Sequence, residues 1–187
     1  MHNTPHSPAD AARHVRGCPP TDNPEVLFRR LLSDYQQALY WHIRHIVGNH
    51  EDAEDTLQET FVRVWRNISQ LRDATSKKAW LYRIATNEAL RHIETRRTTE
   101  NFDDHQAKAE GSTQWGDAPA PDYDNIQQAL EAAIASLPPR QRAVFCMRYY
   151  DELDYEAIAR IADSNVKAVT ANYHVAKQKI RQYLLAL

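Results

Sequence analysis

An acidic row on one side of a predicted helix is the first candidate for binding another molecule. Asp52, Asp55 and Glu59 recur at helical spacing, and Gln58 and Val62 fall on the same side. Such a row can simply keep a surface hydrated, but an apolar valine within a dense acidic patch is typical of a protein-binding surface. Because the same charge repels nucleic acid, we predict that this row binds a basic surface of a protein partner.

Basic residues dominate the next predicted helix and the loop before it. Arg83, Asn87 and Arg91 recur every four residues, and Trp80 lies close to them in sequence. Positive charge binds a nucleic-acid backbone, whereas aromatic and amide side chains can hold an unstacked base. The alternative for Trp80 is a place in the helical core. The predicted DNA-binding set is Arg72, Asp73, Thr75, Ser76, Lys77, Lys78, Trp80, Arg83, Asn87 and Arg91.

The third candidate site is a short helix, a turn and a longer basic helix near the end of the chain. Asp154 is predicted to cap a helix that ends near Ala162, and a second helix runs from Val166 to about Leu184. This order is typical of a helix-turn-helix motif, whose second helix usually enters the major groove. We expect an inward face of Val166, Val169, Tyr173, Ala176 and Ile180. The predicted DNA contacts are Lys167, Thr170, Ala171, Asn172, His174 and Lys177.

The sequence offers no candidate for catalysis. It has no nucleophile–base arrangement and no phosphate-binding glycine loop. His42 and His45 lie one helical turn apart, but no cysteine or carboxylate completes a spaced set of metal ligands. We therefore predict that the protein is not an enzyme, needs no cofactor or metal, and takes no small-molecule substrate. A histidine-based metal sensor remains an alternative that metal titration would test.

Charge is unevenly distributed, although the net charge is only -2. Residues 72–97 hold seven Lys/Arg and three acids, residues 98–125 hold seven acids and one lysine, and residues 164–187 hold four Lys/Arg and no acid. Because local charge decides which surface meets phosphate, the two basic blocks are the predicted DNA-binding regions. The acidic block also contains Gly and Pro and lacks a helical period, which is typical of a linker.

The elements that must position these residues are predicted to be helices throughout. Only four glycines occur and no alternating strand pattern is present. Asn23 and Asn49 are predicted helix caps, a third helix spans about Ser76 to Arg97, and Pro138 ends a fourth that begins near Tyr123. The predicted apolar faces include Ala53, Leu57, Phe61, Val64, Trp65 and Ile68, and later Ile126, Leu130, Ala133, Ile134 and Leu137.

The predicted organisation is all-α, with two small helical domains joined by a flexible linker. Residues 1–22 form a disordered tail, 23–97 the first domain, 98–122 the linker and 123–187 the second domain. Cys18 and Cys146 make no CxxC unit, which favours a reducing compartment. Since no apolar run resembles a signal peptide or a membrane span, we expect a cytoplasmic location without membrane insertion.

Three segments resemble the extracytoplasmic-function group of RNA polymerase sigma factors. Residues 52–61 resemble the sigma domain-two helix that binds the polymerase clamp. Residues 80–87 resemble the promoter-melting helix that reads the −10 element. Residues 137–142 and 155–159 resemble sigma domain four. The three segments occur in the family's order and at its spacing, and the resemblance as a whole covers about residues 24–97 and 123–184.

The resemblance implies a role for each candidate set. The acidic row would dock on the clamp helices of core RNA polymerase, with the flap as a further contact. The loop Arg72–Ser76 and Asn87 would hold a flipped −10 base, and the last helix would read the −35 element. The resemblance also implies an anti-sigma factor, which could hold the protein at the inner membrane. The sequence departs from the family where Asp163 replaces a turn glycine and where Asn172 and Val175 replace frequent arginines. A different −35 sequence is the expected result.

A stand-alone dimeric helix-turn-helix regulator is the alternative function that the sequence leaves open. It would bind a palindromic site tightly without polymerase, whereas a sigma factor would need the polymerase to place its two domains on the promoter.

Overall fold

The computed structural model describes residues 23–73, 76–103 and 123–186, and all regular structure in these ranges is helical. The helices are α1 (Pro24–Val47), α2 (His50–Arg66), α3 (Lys77–Asp103), α4 (Tyr123–Ala135), α5 (Pro139–Tyr149), α6 (Tyr155–Ile161) and α7 (Val166–Leu185). A 3₁₀ helix, Ile68–Asp73, follows α2. The all-α prediction is confirmed. The predicted tail and residues 104–122 of the predicted linker lie outside the described ranges.

Short polar residues begin these helices where the sequence predicts. The Asn23 side chain accepts a hydrogen bond from the Glu25 amide at 2.9 Å, with Pro24 in the first turn. Gly48 ends α1 at φ 102°, a left-handed conformation that glycine adopts without steric cost. The Asn49 side chain then accepts from the Asp52 amide at 2.8 Å. The direction of α2, and with it the acidic row, is therefore fixed by local sequence.

The first domain is a bundle in which α1, α2 and α3 pack against one another. Its core is built from fully buried aliphatic residues on all three helices, including Leu39, Ile43, Ala53, Val64, Leu81 and Ala85. α3 continues to Asp103, six residues beyond the predicted end at Arg97. No bilayer-spanning helix is found among the described residues.

The second domain packs α4, α5 and α6 around the base of α7. Leu137, Met147, Ile158 and Val169 are fully or almost fully buried at its centre. Asp154 caps α6 through the Ala157 amide, and Asn165 caps α7 through the Ala168 amide. The turn between them places Asp163 at φ 47°, so aspartate does adopt the left-handed conformation that glycine usually supplies there.

The two domains contact each other through polar groups buried between them. His42 of α1 is fully buried, and its Nδ1 lies 2.6 Å from a carboxylate oxygen of Asp151, which follows α5. Its Nε2 lies 2.9 Å from the hydroxyl of Thr86 on α3. That hydroxyl donates to the Tyr82 carbonyl, so it can only accept from His42. His42 therefore contacts α3 and the segment after α5 at the same time.

Arg142 of α5 makes the second polar contact between the domains. Its guanidinium donates to the Ile46 carbonyl at 3.0 Å and to carbonyls of its own domain at Ala135 and Leu137. Ile46 lies in the last turn of α1, where carbonyls lack a partner within the helix. Arg142, which belongs to the second domain, thus caps the C-terminal end of α1 in the first domain.

Three predicted core residues lie at the surface instead. Trp65 is 43% exposed, because it falls at the edge of the buried face of α2 and packs edge-on against Phe28. Ile126 is 67% exposed beside the cleft between the domains. Val166 is 40% exposed, because it begins α7 before that helix reaches the core.

Candidate functional site

The acidic row of α2 faces outward. Asp55, Gln58 and Glu59 are exposed, and Val62 among them is 42% exposed. Their side of the helix is opposite to Ala53, Thr60 and Val64, which are buried against α1 and α3. The predicted polymerase-binding residues are therefore available to a partner, with Asp52 half-buried at the margin of the row.

Contacts with α3 fix part of this acidic surface. Asp52 lies 3.0 Å from Arg96 and 3.1 Å from His92. Partial burial raises the pKa of the Asp52 carboxyl, but the Asn49 hydrogen bond and the charges of His92 and Arg96 outweigh it, so the pKa is lowered overall. Asp52 therefore stays ionised while it anchors the start of α2 to α3.

An apolar groove beside the acidic row was missed by the sequence analysis. It has a volume of about 650 Å³ and lies between the first half of α1 and the second half of α2. Phe28, Phe61 and Trp65 line it, with Val62 at the edge it shares with the acidic row. Helical spacing placed Trp65 in the core, and only the position of α1 shows that its ring borders an open groove. The negatively charged row of α2 therefore adjoins an apolar recess.

On α3 the structure separates the predicted DNA-binding residues. Lys77, Lys78, Arg83 and Asn87 are exposed, and Ser76 begins the helix by accepting a hydrogen bond from the Ala79 amide at 3.2 Å. Trp80 is only 5% exposed and so occupies the core position that was the alternative to a base contact. The side chains of Arg72 and Asp73, and all of Thr75, lie outside the described part of the chain.

Arg91, the last residue predicted for this DNA-binding row, is held toward α2. It pairs with Glu88 one turn earlier and lies 4.0 Å from Glu59. Glu88 is 3% exposed, and its carboxylate also pairs with Arg63 of α2. A buried carboxylate needs such partners, because an uncompensated charge is costly inside a protein. The freely outward part of the basic row is therefore Arg83 and Asn87.

α7 presents its predicted DNA contacts on its outer side. Lys167, Ala171 and His174 are exposed opposite the buried Val169, Ala176 and Ile180. Thr170, Asn172 and Lys177 flank this outer row, and the Thr170 hydroxyl donates to the Val166 carbonyl at 2.8 Å. The exposed Val175 and Gln178 extend the row. Neither residue was predicted as a DNA contact, although their spacing from Ala171, four and seven residues, indicates the same face.

The histidine pair does not form a metal site in the described residues. No group of three or more potential ligands comes together there. His42 bonds to Asp151 and Thr86, while the His45 ring stacks on Tyr150 at 3.8 Å between centroids. Burial lowers the pKa of His45, which favours its neutral form in that stack. Both histidines join the two domains.

Comparison with known proteins identifies the class. Residues 31–99 match the family model for Sigma-70 region 2, and residues 127–180 match that for Sigma-70, region 4. The chain belongs to the RNA polymerase sigma factors and, among them, to the extracytoplasmic-function group. These are transcription factors that act at initiation.

Individual relatives support the same assignment. The ECF RNA polymerase sigma factor SigW of Bacillus subtilis is 28% identical over 165 residues, covering 84% of this chain and 88% of that protein. The ECF RNA polymerase sigma-E factor of Haemophilus influenzae is 29% identical over 168 residues, covering 86% and 88%. The sigma factor RpoE from Bartonella quintana, solved with the anti-sigma factor NepR, has the same fold: the TM-score is 0.67 at 20% identity, covering 84% of this chain and 96% of that one.

Proposed function

We propose that this sigma factor binds core RNA polymerase through the acidic row and apolar groove of α2, and promoter DNA through the outward faces of α3 and α7. The observation that carries the proposal is the distribution of charge. Asp55 and Glu59 lie on one exposed side of α2, whereas Arg83 of α3 and the lysines of α7 are exposed on other helices. A surface that repels DNA and surfaces that attract it thus occur on separate helices of one chain.

The partner of the acidic row is a basic helical surface of the polymerase, the clamp helices. The acidic side chains would pair with basic residues of the clamp, while Val62 and the groove beside it would receive an apolar side chain. Interfaces of this kind draw affinity from a buried apolar centre and register from the charges around it. Contact with the polymerase flap is proposed for the second domain.

At the −10 element, α3 is proposed to hold an extruded base. Asn87 offers a donor and an acceptor to a base edge, and Arg83, one turn earlier, offers charge to the neighbouring phosphate. Extruding a base costs only a few kcal/mol, so a small number of such contacts can favour the melted strand. Lys77 and Lys78 at the start of α3 would add backbone attraction.

The domain contact must open for both promoter elements to be read together. α7 packs on α5, and α5 packs on α1 and α3, so the reading helices are roughly two helix diameters, about 20 Å, apart. Elements named −10 and −35 are on the order of 85 Å apart in B-form DNA. Docking on polymerase would therefore separate the domains and make the second DNA contact effectively intramolecular.

The proposed polymerase-binding surface also suggests how the protein is regulated and where it acts. An anti-sigma factor that covers the acidic row would prevent polymerase binding, and the Bartonella relative was solved with the anti-sigma factor NepR. We propose that the protein acts in the cytoplasm, where core polymerase is present. It would bind macromolecules without catalysing a reaction itself and without a cofactor.

Run-off transcription with core polymerase tests the proposal. Adding the protein should give a discrete transcript from a promoter selected for it. Asp55→Lys combined with Glu59→Lys should abolish the transcript, because both substituted residues then repel a basic partner. Asp34→Lys, at an exposed position on the far side of α1, is the control that should retain transcription.

The results also distinguish a sigma factor from the alternative function, a dimeric helix-turn-helix regulator. Normal transcription by the double variant would overturn the role given to the acidic row. Tight, specific binding to a palindromic duplex by the chain without polymerase would favour a dimeric regulator.

A further inference from the structure

The outer row of α7 contains side chains that differ from the usual readers of guanine. Between Lys167 and Arg181, the exposed positions on this face are Ala171, His174, Val175 and Gln178. None of these four is an arginine or lysine, the side chains that most often read guanine in the major groove. The middle of the row instead offers methyl groups and an amide. This composition limits the bases that the helix can contact in the major groove.

Val175 is placed where a base-contacting side chain would be. It is 38% exposed, and it lies one turn beyond Ala171 and one turn before Gln178. The opposite side of the helix, formed by Val169, Ala176 and Ile180, is buried against α4, α5 and α6. When the outward side of α7 faces DNA, Ala171, Val175 and Gln178 therefore form one continuous strip toward the groove.

Exposure alone does not make a valine functional, because isolated apolar residues are common on protein surfaces. Val166 illustrates the point. It is 40% exposed on the same helix, but it lies at the first turn and well to one side of the strip. Val175 differs from it by position rather than by exposure. The two valines thus offer a matched comparison within one recognition helix.

The chemistry of the major groove assigns partners to the strip. Apolar side chains contact the C5-methyl group of thymine, and glutamine or asparagine can bind adenine through two hydrogen bonds. Ala171 and Val175 can offer only the first kind of contact, whereas Gln178 can make the second. Burying a methyl group against a valine contributes about 0.8 kcal/mol, which corresponds to roughly a four-fold change in binding.

We propose that Val175 is a specificity-determining residue that packs against a thymine methyl group in the −35 element, with Gln178 binding an adjacent adenine. The −35 element read by this protein is therefore rich in A·T pairs at the positions that the second half of α7 faces. This inference rests on the proposed function, because it requires that α7 enters the major groove of promoter DNA.

The experiment uses polymerase holoenzyme formed with the full chain. Promoters that bind are first selected from a duplex library with a randomised −35 element. Each selected thymine is then replaced by deoxyuridine, which removes the methyl group and leaves the base-pairing edge unchanged. At one position the wild-type protein should bind the uracil promoter about four-fold more weakly.

Substitutions at the two valines assign that loss to a residue. Val175→Ala should bind the thymine and uracil promoters equally, since the valine that senses the methyl group is gone. Val166→Ala should keep the full sensitivity of the wild-type protein. Because both positions are exposed, both variants should fold, and thermal unfolding would verify this.

Each result is decisive for the inference. A selected element made of G·C pairs, sensitivity to no thymine methyl, or sensitivity that persists in Val175→Ala would overturn it. Those results would leave promoter-dependent transcription intact, so the proposed function would stand. A library from which the holoenzyme selects no −35 sequence would overturn both.

Discussion

α2 and α7 are both amphipathic helices, but their exposed sides carry charges of opposite sign. Each buries one apolar side and exposes a charged side, but the contacts of those charged side chains differ. Asp52 pairs with His92 and Arg96 of α3. On α7, Lys177 lies over the Tyr173 ring and Lys179 donates to Gln141 of α5, and neither lysine forms a salt bridge within the described residues.

The difference teaches how each surface is prepared for its partner. A pre-positioned acidic surface loses little conformational entropy on docking to protein. Long lysine side chains that form no salt bridge can adjust to phosphates along a duplex. Under the proposed function, Asp52 would therefore give the acidic row a fixed margin, while the lysines of α7 would adjust to DNA.

The largest effect on stability is expected at the contact between the two domains that carry α2 and α7. Arg142→Met should lower the free energy of unfolding by about 2–4 kcal/mol, because it leaves buried carbonyls of both domains without a charged donor. Urea unfolding measures this loss. Arg140→Met, two residues earlier and exposed, should change it little. Equal stability of the two variants would mean that Arg142 does not join the domains in solution.

The next effect concerns the outward side of α3. Asn87→Ala should slow open-complex formation on the order of 10- to 100-fold, since a specific base contact is typically worth 1–3 kcal/mol. Binding to core polymerase should be unchanged. Kinetic footprinting of the melted region and a polymerase-binding assay separate the two steps. Equal losses in both would argue against capture of a base by Asn87.

A smaller effect is expected at the carboxylate that joins α2 to α3. Glu88→Ala should cost about 1–2 kcal/mol of stability, because Arg63 and Arg91 lose their shared partner but remain half-exposed to water. Glu59→Ala should cost almost nothing, since its carboxylate is exposed and 4.0 Å from Arg91. Thermal unfolding compares the two. A larger loss of stability for Glu59→Ala than for Glu88→Ala would contradict the view that Glu88 is the anchored carboxylate and Glu59 the exposed one.

Much of this architecture was accessible from sequence because its signals are local. Asn23, Asn49, Asp154 and Asn165 each cap a helix through an amide two or three residues away. The acidic row was predictable for the same reason, since its members share one helix and their spacing fixes their side.

The features that the sequence did not predict depend on contacts between residues far apart in the chain. His42 meets Asp151 across 109 positions of the chain, and no local pattern indicates that pairing. Trp80 was assigned to DNA because its neighbours are basic, yet burial against the bundle decides its place. Trp65 and the groove beside it depend on how α1 lies over α2. Long-range packing therefore accounts for most of the corrections.

The smallest effect concerns a single lysine of α7. Lys167→Ala should reduce the slope of log binding constant against log salt concentration by about 0.9, the value for one phosphate contact. Holoenzyme binding to promoter DNA at several salt concentrations gives the slope. Lys179→Ala should change it less, because that amine already donates to Gln141 at 3.0 Å. An unchanged slope for Lys167 would remove it from the phosphate-binding set.

Photo-crosslinking from two exposed glutamines tests the division between the surfaces most directly. A photoreactive amino acid at Gln58 of α2 and, separately, at Gln178 of α7 would be activated in the transcribing complex. The account predicts that position 58 crosslinks to a large polymerase subunit and position 178 to promoter DNA near −35. Crosslinks from position 58 to DNA, or from position 178 to polymerase alone, would contradict it.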